Sequence, residues 1–174
     1  MKAPVLTTDR VRIEPVSLDH WEDYAVAWAD PKMTEFIGGK PRDRTTSWAK
    51  FIGAAGLWPV VGYGYWSFVD RETGTYLGCG GLSKFERGIK QLENYPETGW
   101  ALVPDAWGKG YATEVMGRIF AWADEALDSP EIRCIIDAGN GASVAVAKKL
   151  GFQYLDDAAL GEDTVQVYVR PPAR

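Results

Sequence analysis

Pro104-Asp105-Ala106-Trp107-Gly108-Lys109-Gly110-Tyr111-Ala112-Thr113 carries the chain from one regular element directly into another. The residues before it, Thr98 to Val103, read as a strand that Pro104-Asp105 ends. Those after it, from about Tyr111 to Leu127, put Ala112, Val115, Met116, Ile119, Phe120, Ala123 and Leu127 on one face of an amphipathic helix. Gly108 and Gly110 let the main chain turn tightly with no Cβ in the way, so several amide N–H groups can converge on one point. Beside the positive end of the helix, such a turn forms a phosphate site. The same glycines also suit a plain strand-to-helix turn, and this stretch alone leaves both readings open.

Working outward, Asp9 to Val16 alternates charged and apolar residues at the period of a half-buried strand. Ser17 and Asp19 stand where a helix cap belongs, ahead of Trp21, Tyr24, Ala25 and Trp28 at helical spacing, and Asp30-Pro31 stops that run. A second helix is expected over Asp43 to Ala55, ahead of Pro59. Tyr63 to Val69 and Tyr76 to Phe85 read as a hairpin around Asp70-Arg71-Glu72-Thr73-Gly74, and a polar connection runs from Glu86 to Tyr95. After the long helix come a strand at Arg133 to Asp137, a short helix at Ser143 to Leu150 stopped by Gly151, and strands at Gln153 to Leu155 and Val165 to Val169. Hairpins first and strand-helix alternation afterwards give an α/β (α+β) class: a mixed, mostly antiparallel sheet of about 6–7 strands flanked by helices. No linker, repeat or low-complexity segment interrupts residues 1–174, which read as one domain.

The chain has 174 residues, and 24 Asp and Glu against 19 Lys and Arg give a formal charge of −5. That balance offers no general basic face for nucleic acid or an anionic membrane and suits amine-bearing partners better. There is no signal-peptide or membrane-span pattern, and a cytoplasmic protein is expected. Cys79 and Cys134 lie far apart with no nearby histidine, so no metal site is expected and both read as buried reduced thiols. Two familiar phosphate loops fail here. A Walker loop needs a Ser or Thr after the lysine where Gly110 stands, and a dinucleotide fingerprint needs glycine where Thr113 stands.

Trp107-Gly108-Lys109-Gly110-Tyr111-Ala112-Thr113 after a strand is joined by a second motif, N-G-A-S-V-A-V-A-K-K-L-G-F from Asn140 to Phe152. Together these resemble the GNAT superfamily of N-acetyltransferases, in particular its ribosomal-protein alanine acetyltransferase (RimJ/RimL-type) branch. The likeness extends over L-T-T-D-R-V-R-I-E-P at Leu6 to Pro15, G-C-G-G-L at Gly78 to Leu82 and E-T-G-W-A-L at Glu97 to Leu102. The resemblance implies a GNAT fold and acetyl-CoA as acetyl donor, its pyrophosphate held by the amides of Trp107, Gly108, Lys109, Gly110, Tyr111, Ala112 and Thr113. The superfamily pattern [QR]-x-x-G-x-[GA] is met except at its first position, where Trp107 stands. By the same resemblance the pantetheine arm pairs with the backbone near Leu102 and Val103, and Asn140 and Ser143 face the arm and its sulfur. A homodimer is also in keeping with relatives of this kind.

Acetyl transfer from a thioester needs a neutral amine, donors aimed at the developing oxyanion, and help for the departing thiolate. Backbone N–H around Leu102 is expected to supply the second and Ser143 the third, although Ser143 also lies where a helix cap would. Glu97, opening the strand that leads to the donor, is the expected base. His20, Glu93, Tyr95 and Trp28 are candidates for the acceptor side, and Lys148-Lys149 for the phosphates. The acceptor is left open among a protein N-terminus and small-molecule amines. A GNAT-fold protein that binds acyl-CoA or a small ligand without turnover, and a tryptophan-rich peptide-binding module, are the alternatives.

Overall fold

The computed structural model describes residues 2–128 and 130–173. Leu6–Thr7 (β1) and Val11–Pro15 (β2) form the first antiparallel pair, and Val11 and Ile13 point into the core as the alternation requires. A short 3-10 turn leads into Trp21–Ala29 (α1), then Pro31–Thr34 (α2) and Arg44–Val61 (α3). Asp30 and Asp43 cap the latter two, their carboxylates accepting from Lys32 N–H and Thr46 N–H. Ser17 stands at the start of the 3-10 turn but makes no side-chain cap bond.

α3 runs past the expected stop at Ala55 to Val61. Pro59 falls in its last turn on the exposed side, where the missing N–H is tolerated, while Leu57 and Trp58 are buried and hold that turn against the sheet. Gly62, at φ +90°, ends it. Tyr65–Asp70 (β3) and Tyr76–Ser83 (β4) form the expected hairpin, and the Asp70 carboxylate accepts from the N–H groups of Glu72 and Thr73 inside its turn.

Glu97–Leu102 (β5), Tyr111–Ala126 (α4), Ile132–Asp137 (β6), Gly141–Lys149 (α5), Gln153–Leu160 (β7) and Asp163–Arg170 (β8) complete the chain. Among the described residues the sheet has eight strands in the order β1-β2-β3-β4-β5-β6-β8-β7, and only β5 and β6 run parallel. The strand count exceeds the expected number because the two-residue β1 has too little periodicity to be seen in sequence.

The sheet carries a core on each face. On one, Val115, Met116, Ile119 and Phe120 of α4 cover Val11, Ile13, Trp66, Phe68 and Leu82. On the other, Tyr24 and Trp28 of α1 and Phe51 of α3 cover Tyr76, Cys79 and Ala101. Several tryptophans serve packing: Trp58, Trp66 and Trp122 meet with ring centroids 4.6 to 5.4 Å apart.

Gly81 in β4 has φ +151°, and a Cβ there would stand 2.3 Å from Gly64 O. Gly81→Ala is therefore expected to cost about 2–5 kcal/mol, or roughly 5–15 °C in melting temperature. Gly53→Ala, on the exposed side of α3 with open space around it, should instead stabilise by about 0.5–1 kcal/mol. Calorimetric melting of the two variants checks the opposite signs.

Candidate functional site

β5 pairs with β4 along its whole length, but it meets β6 through one register pair, Glu97 opposite Arg133, fastened by Arg133 N–H to Pro96 O at 3.0 Å. Val103 N–H donates to Leu77 O at 2.9 Å, which fixes the phase of the β4–β5 ladder. By antiparallel alternation Gly99 and Ala101 bond β4, whereas Trp100 and Leu102 turn their N–H and C=O groups toward β6. Past the single pair the two parallel strands form no further ladder, so a gap opens with main-chain donors along one wall.

A cavity of about 730 Å³ extends from this gap. Gly99, Trp100 and Ala101 of β5 and Ile135, Ile136 and Asp137 of β6 flank it at one end, beside Asn140 and Ser143. Tyr24, Trp28, Phe51 and Arg42 line the other end. Asn140 is the cap of α5: its Oδ1 accepts from Ser143 N–H at 3.0 Å. The cap function thus falls to Asn140, leaving its NH₂ and the Ser143 hydroxyl beside the cavity. Cys79 also lines the wall, and burial pushes its thiol up to about 11, which keeps it protonated and unreactive at neutral pH.

The glycine turn lies outside that cavity wall, at the start of α4. Gly108 has φ +70° and Gly110 φ +80°, so both need the left-handed conformation that glycine allows, and a Cβ at Gly108 would meet nothing within 4 Å. Gly110 is the cap of α4 and among the described residues no side chain bonds the first-turn amides, which leaves Tyr111, Ala112 and Thr113 N–H for an anion. Trp107 Nε1 donates to Leu102 O at 2.7 Å, tying the turn to the end of β5. The tryptophan that departs from the superfamily pattern thus joins the two halves of the site.

Arg10, which no sequence motif singles out, crosses from the start of β2 to this turn. It donates to Lys109 O at 3.0 Å and to both oxygens of Glu114, and its guanidinium lies 4.2 Å from the Tyr111 ring centroid. The pair keeps the one acidic side chain of the first turn of α4 neutralised. Only the resembling segment Leu6 to Pro15 hinted at it, since its partners lie about a hundred residues away.

The family model described as an acetyltransferase (GNAT) domain matches residues 10–153, most of the chain, with the glycine turn, β5, β6 and α5 all inside the match. The chain belongs to the GNAT acetyltransferase family. As a member it is an acetyl-CoA-dependent acetyltransferase. It is 29% identical to YkkB of Bacillus subtilis (strain 168) over 171 residues, 95% of this chain and 94% of that protein. An acetyltransferase structure from Agrobacterium tumefaciens str. C58 is 26% identical with TM-score 0.84, covering 97% of this chain and 95% of that one. The fold also matches RimL, a ribosomal L7/L12 α-N-protein acetyltransferase, at TM-score 0.76 and 13% identity, over 97% of each chain.

Two of the residues expected at the site have their polar groups directed elsewhere than the gap. Val103 has its N–H on Leu77 and its carbonyl accepting from Ala106 N–H, so the β5 amides that face the gap are those of Trp100 and Leu102. Glu97 is buried and does not reach the cavity wall. Its oxygens lie 2.9 and 2.8 Å from Arg87 Nε, and Arg87, not Glu97, lines the main cavity. Glu97 faces a second cavity of about 270 Å³ under the 84–95 connection, which Glu93 and Tyr95 share.

The other candidates lie in three separate places. Trp28 lines the main cavity. His20 sits under the sheet edge with Nε2 3.2 Å from Glu14. Lys148 and Lys149 occupy the last turn of α5, the end away from Asn140.

A carboxylate held behind Arg87 is expected to act by position. Glu97→Gln is expected to lower kcat by a factor that stays constant from pH 6 to 10, and to cost roughly 2–3 kcal/mol of stability. A defect that shrinks as pH rises would instead make Glu97 the proton acceptor.

Proposed function

We propose that the chain is an N-acetyltransferase that moves the acetyl group of acetyl-CoA to a primary α-amine by direct attack in a ternary complex. The gap between β5 and β6 carries the reading, because it sets main-chain donors opposite a serine hydroxyl at the end of a cavity that can admit a second molecule.

The residues present fit the donor. The uncapped first turn of α4 and the glycine turn suit its pyrophosphate, with Trp107, Gly108, Lys109, Gly110, Tyr111, Ala112 and Thr113 contributing amides. The Trp100 and Leu102 N–H groups suit the pantetheine and the thioester carbonyl, where negative charge develops as the amine nitrogen bonds to the carbonyl carbon. Ser143 would donate its hydroxyl hydrogen to the sulfur as the carbon–sulfur bond breaks, and the Asn140 NH₂ would steady the arm.

With Glu97 withdrawn, the carboxylates on the cavity wall are Asp43, Asp137 and Asp163. Asp43 accepts from Thr46 N–H and Asp137 from Gly139 N–H, which ties both to local structure. The amine's own acidity then weighs heavily. An α-amine of pKa about 8 costs about 1.4 kcal/mol to deprotonate at pH 7, against about 4.6 for a lysine-type amine at about 10.4. α-Amines are the acceptors this wall asks least to activate.

Gly110→Glu puts a side chain and a negative charge where the pyrophosphate approaches, and is expected to abolish acetyl-CoA binding in calorimetric titration of a folded protein. Wild-type affinity would reduce the loop to a structural turn. Ser143→Ala should lower kcat about tenfold to a hundredfold with little change in acetyl-CoA affinity. Unchanged kcat would remove Ser143 from the reaction.

A further inference from the structure

The acceptor end of the cavity is positively charged in a chain whose net charge is −5. Lys40, Arg42, Lys50 and Arg87 line it. Arg87 is neutralised by Glu97. Arg42 is not: among the described residues no carboxylate pairs with it, nor with Arg71 or Arg118, but of these three arginines Arg42 is the one on the cavity wall.

Arg42 is nevertheless held in place. Its own N–H donates to Trp28 O at 2.8 Å, and its guanidinium lies 3.6 Å from the Trp28 ring centroid, beside the Tyr24 hydroxyl. Neighbouring Asp43 is turned away to cap α3, its Oδ1 2.7 Å from Thr46 N. The Trp28 indole in turn lies against Cys79, the register partner of Ala101. The stacked guanidinium is thus two side chains removed from the β5 wall, in the same cavity.

Stacking on an indole fixes the plane of a guanidinium while leaving its N–H edge free, the geometry in which arginine takes a carboxylate through two parallel hydrogen bonds. Half-buried, Arg42 has the Trp28 stack and the Tyr24 hydroxyl in return for the hydration it loses, but no anion to match its charge. Both observations describe a group waiting for an anion on the incoming molecule.

We propose that the acceptor is an amine that also bears a carboxylate, such as an amino acid or short peptide with a free C-terminus, and that Arg42 binds this carboxylate while the amine reaches the gap between β5 and β6. Lys40 and Lys50 add attraction for the same charge and repel polyamines. This assignment rests on the transferase reading above and selects among its acceptors.

The test measures thiol release from acetyl-CoA with amino acids and di- and tripeptides, the C-terminal amide of each, and spermidine, using wild type, Arg42→Gln and Arg42→Lys. For wild type, kcat/KM should favour acid over amide, and spermidine should be the poorest acceptor. In Arg42→Gln the acid-to-amide ratio should fall about tenfold to a hundredfold, because only the acid loses a charge-assisted contact. Comparing ratios between proteins cancels the difference in amine pKa between acid and amide. Arg42→Lys should restore part of the ratio, since it keeps the charge but not the planar fork.

Acids and amides losing rate equally in Arg42→Gln would make Arg42 a packing residue and overturn the proposal, as would spermidine exceeding every acid in wild type. If acetyl-CoA binds but no amine of the panel releases thiol, the small carboxylate-bearing acceptor is overturned, while a failure to bind acetyl-CoA would overturn the donor site beneath it. Turnover without acid preference sinks the inference alone.

Discussion

One pair of residues sets the geometry on which the site depends. Glu97 opposite Arg133 is where parallel β5 and β6 touch, and beyond it β5 stays with β4 while β6 pairs with β8. A strand bonded on both edges presents no main-chain donors. Because β5 loses its second neighbour after one register pair, the Trp100 and Leu102 amides face a gap instead of a strand, and a buried amide without a partner is costly enough to favour whatever ligand can satisfy it. The protein builds its donor site by leaving a ladder unfinished.

The charges around that gap are arranged to match. Glu97 could have put a negative charge near a thioester whose reaction develops another, but Arg87 holds it away from the wall. Glu114 could have opposed a phosphate at the start of α4, but Arg10 covers it. Burial raises the phenol of Tyr65, with the charge of Glu97 adding to the effect, so a neutral hydroxyl stands beside the gap at physiological pH. Positive groups are left to meet an anion at both ends: the α4 amides at the donor end and Arg42 at the acceptor end, where Asp43 is engaged with Thr46 N–H. Within an overall acidic chain the cleft thus holds a small cationic cluster, Lys40, Arg42, Lys50 and Arg87.

The sequence was legible where chemistry is local. The glycine turn, the amphipathic α4 and the start of α5 all lie within short segments whose spacing is local, and the family likeness joins them in one fold. Asn140 and Ser143 were found together, although which of them caps α5 depends on a side-chain rotamer that spacing does not specify. The helix expected to end at Ala55 continued through Pro59 because burial of Leu57 and Trp58 outweighs the lost N–H, a tertiary effect. The position of Glu97 on β5 is visible in the sequence but its partner is not: Arg87 comes from the polar connection that no periodicity describes. Arg10 and Arg42 were missed for the same reason, since each acts on residues far along the chain or through a stack that sequence does not announce.

Residue-resolved amide hydrogen exchange, with and without coenzyme A, is the direct test of whether the unfinished ladder beyond Glu97 receives the donor. The Trp100 and Leu102 amides should exchange freely in the ligand-free protein and gain protection when the ligand binds, together with Gly110, Tyr111 and Ala112, while Gly99 and Ala101, bonded to β4, should be protected in both states. Coenzyme A binding that leaves the exchange of Trp100 and Leu102 unchanged would show that the donor does not lie in the gap.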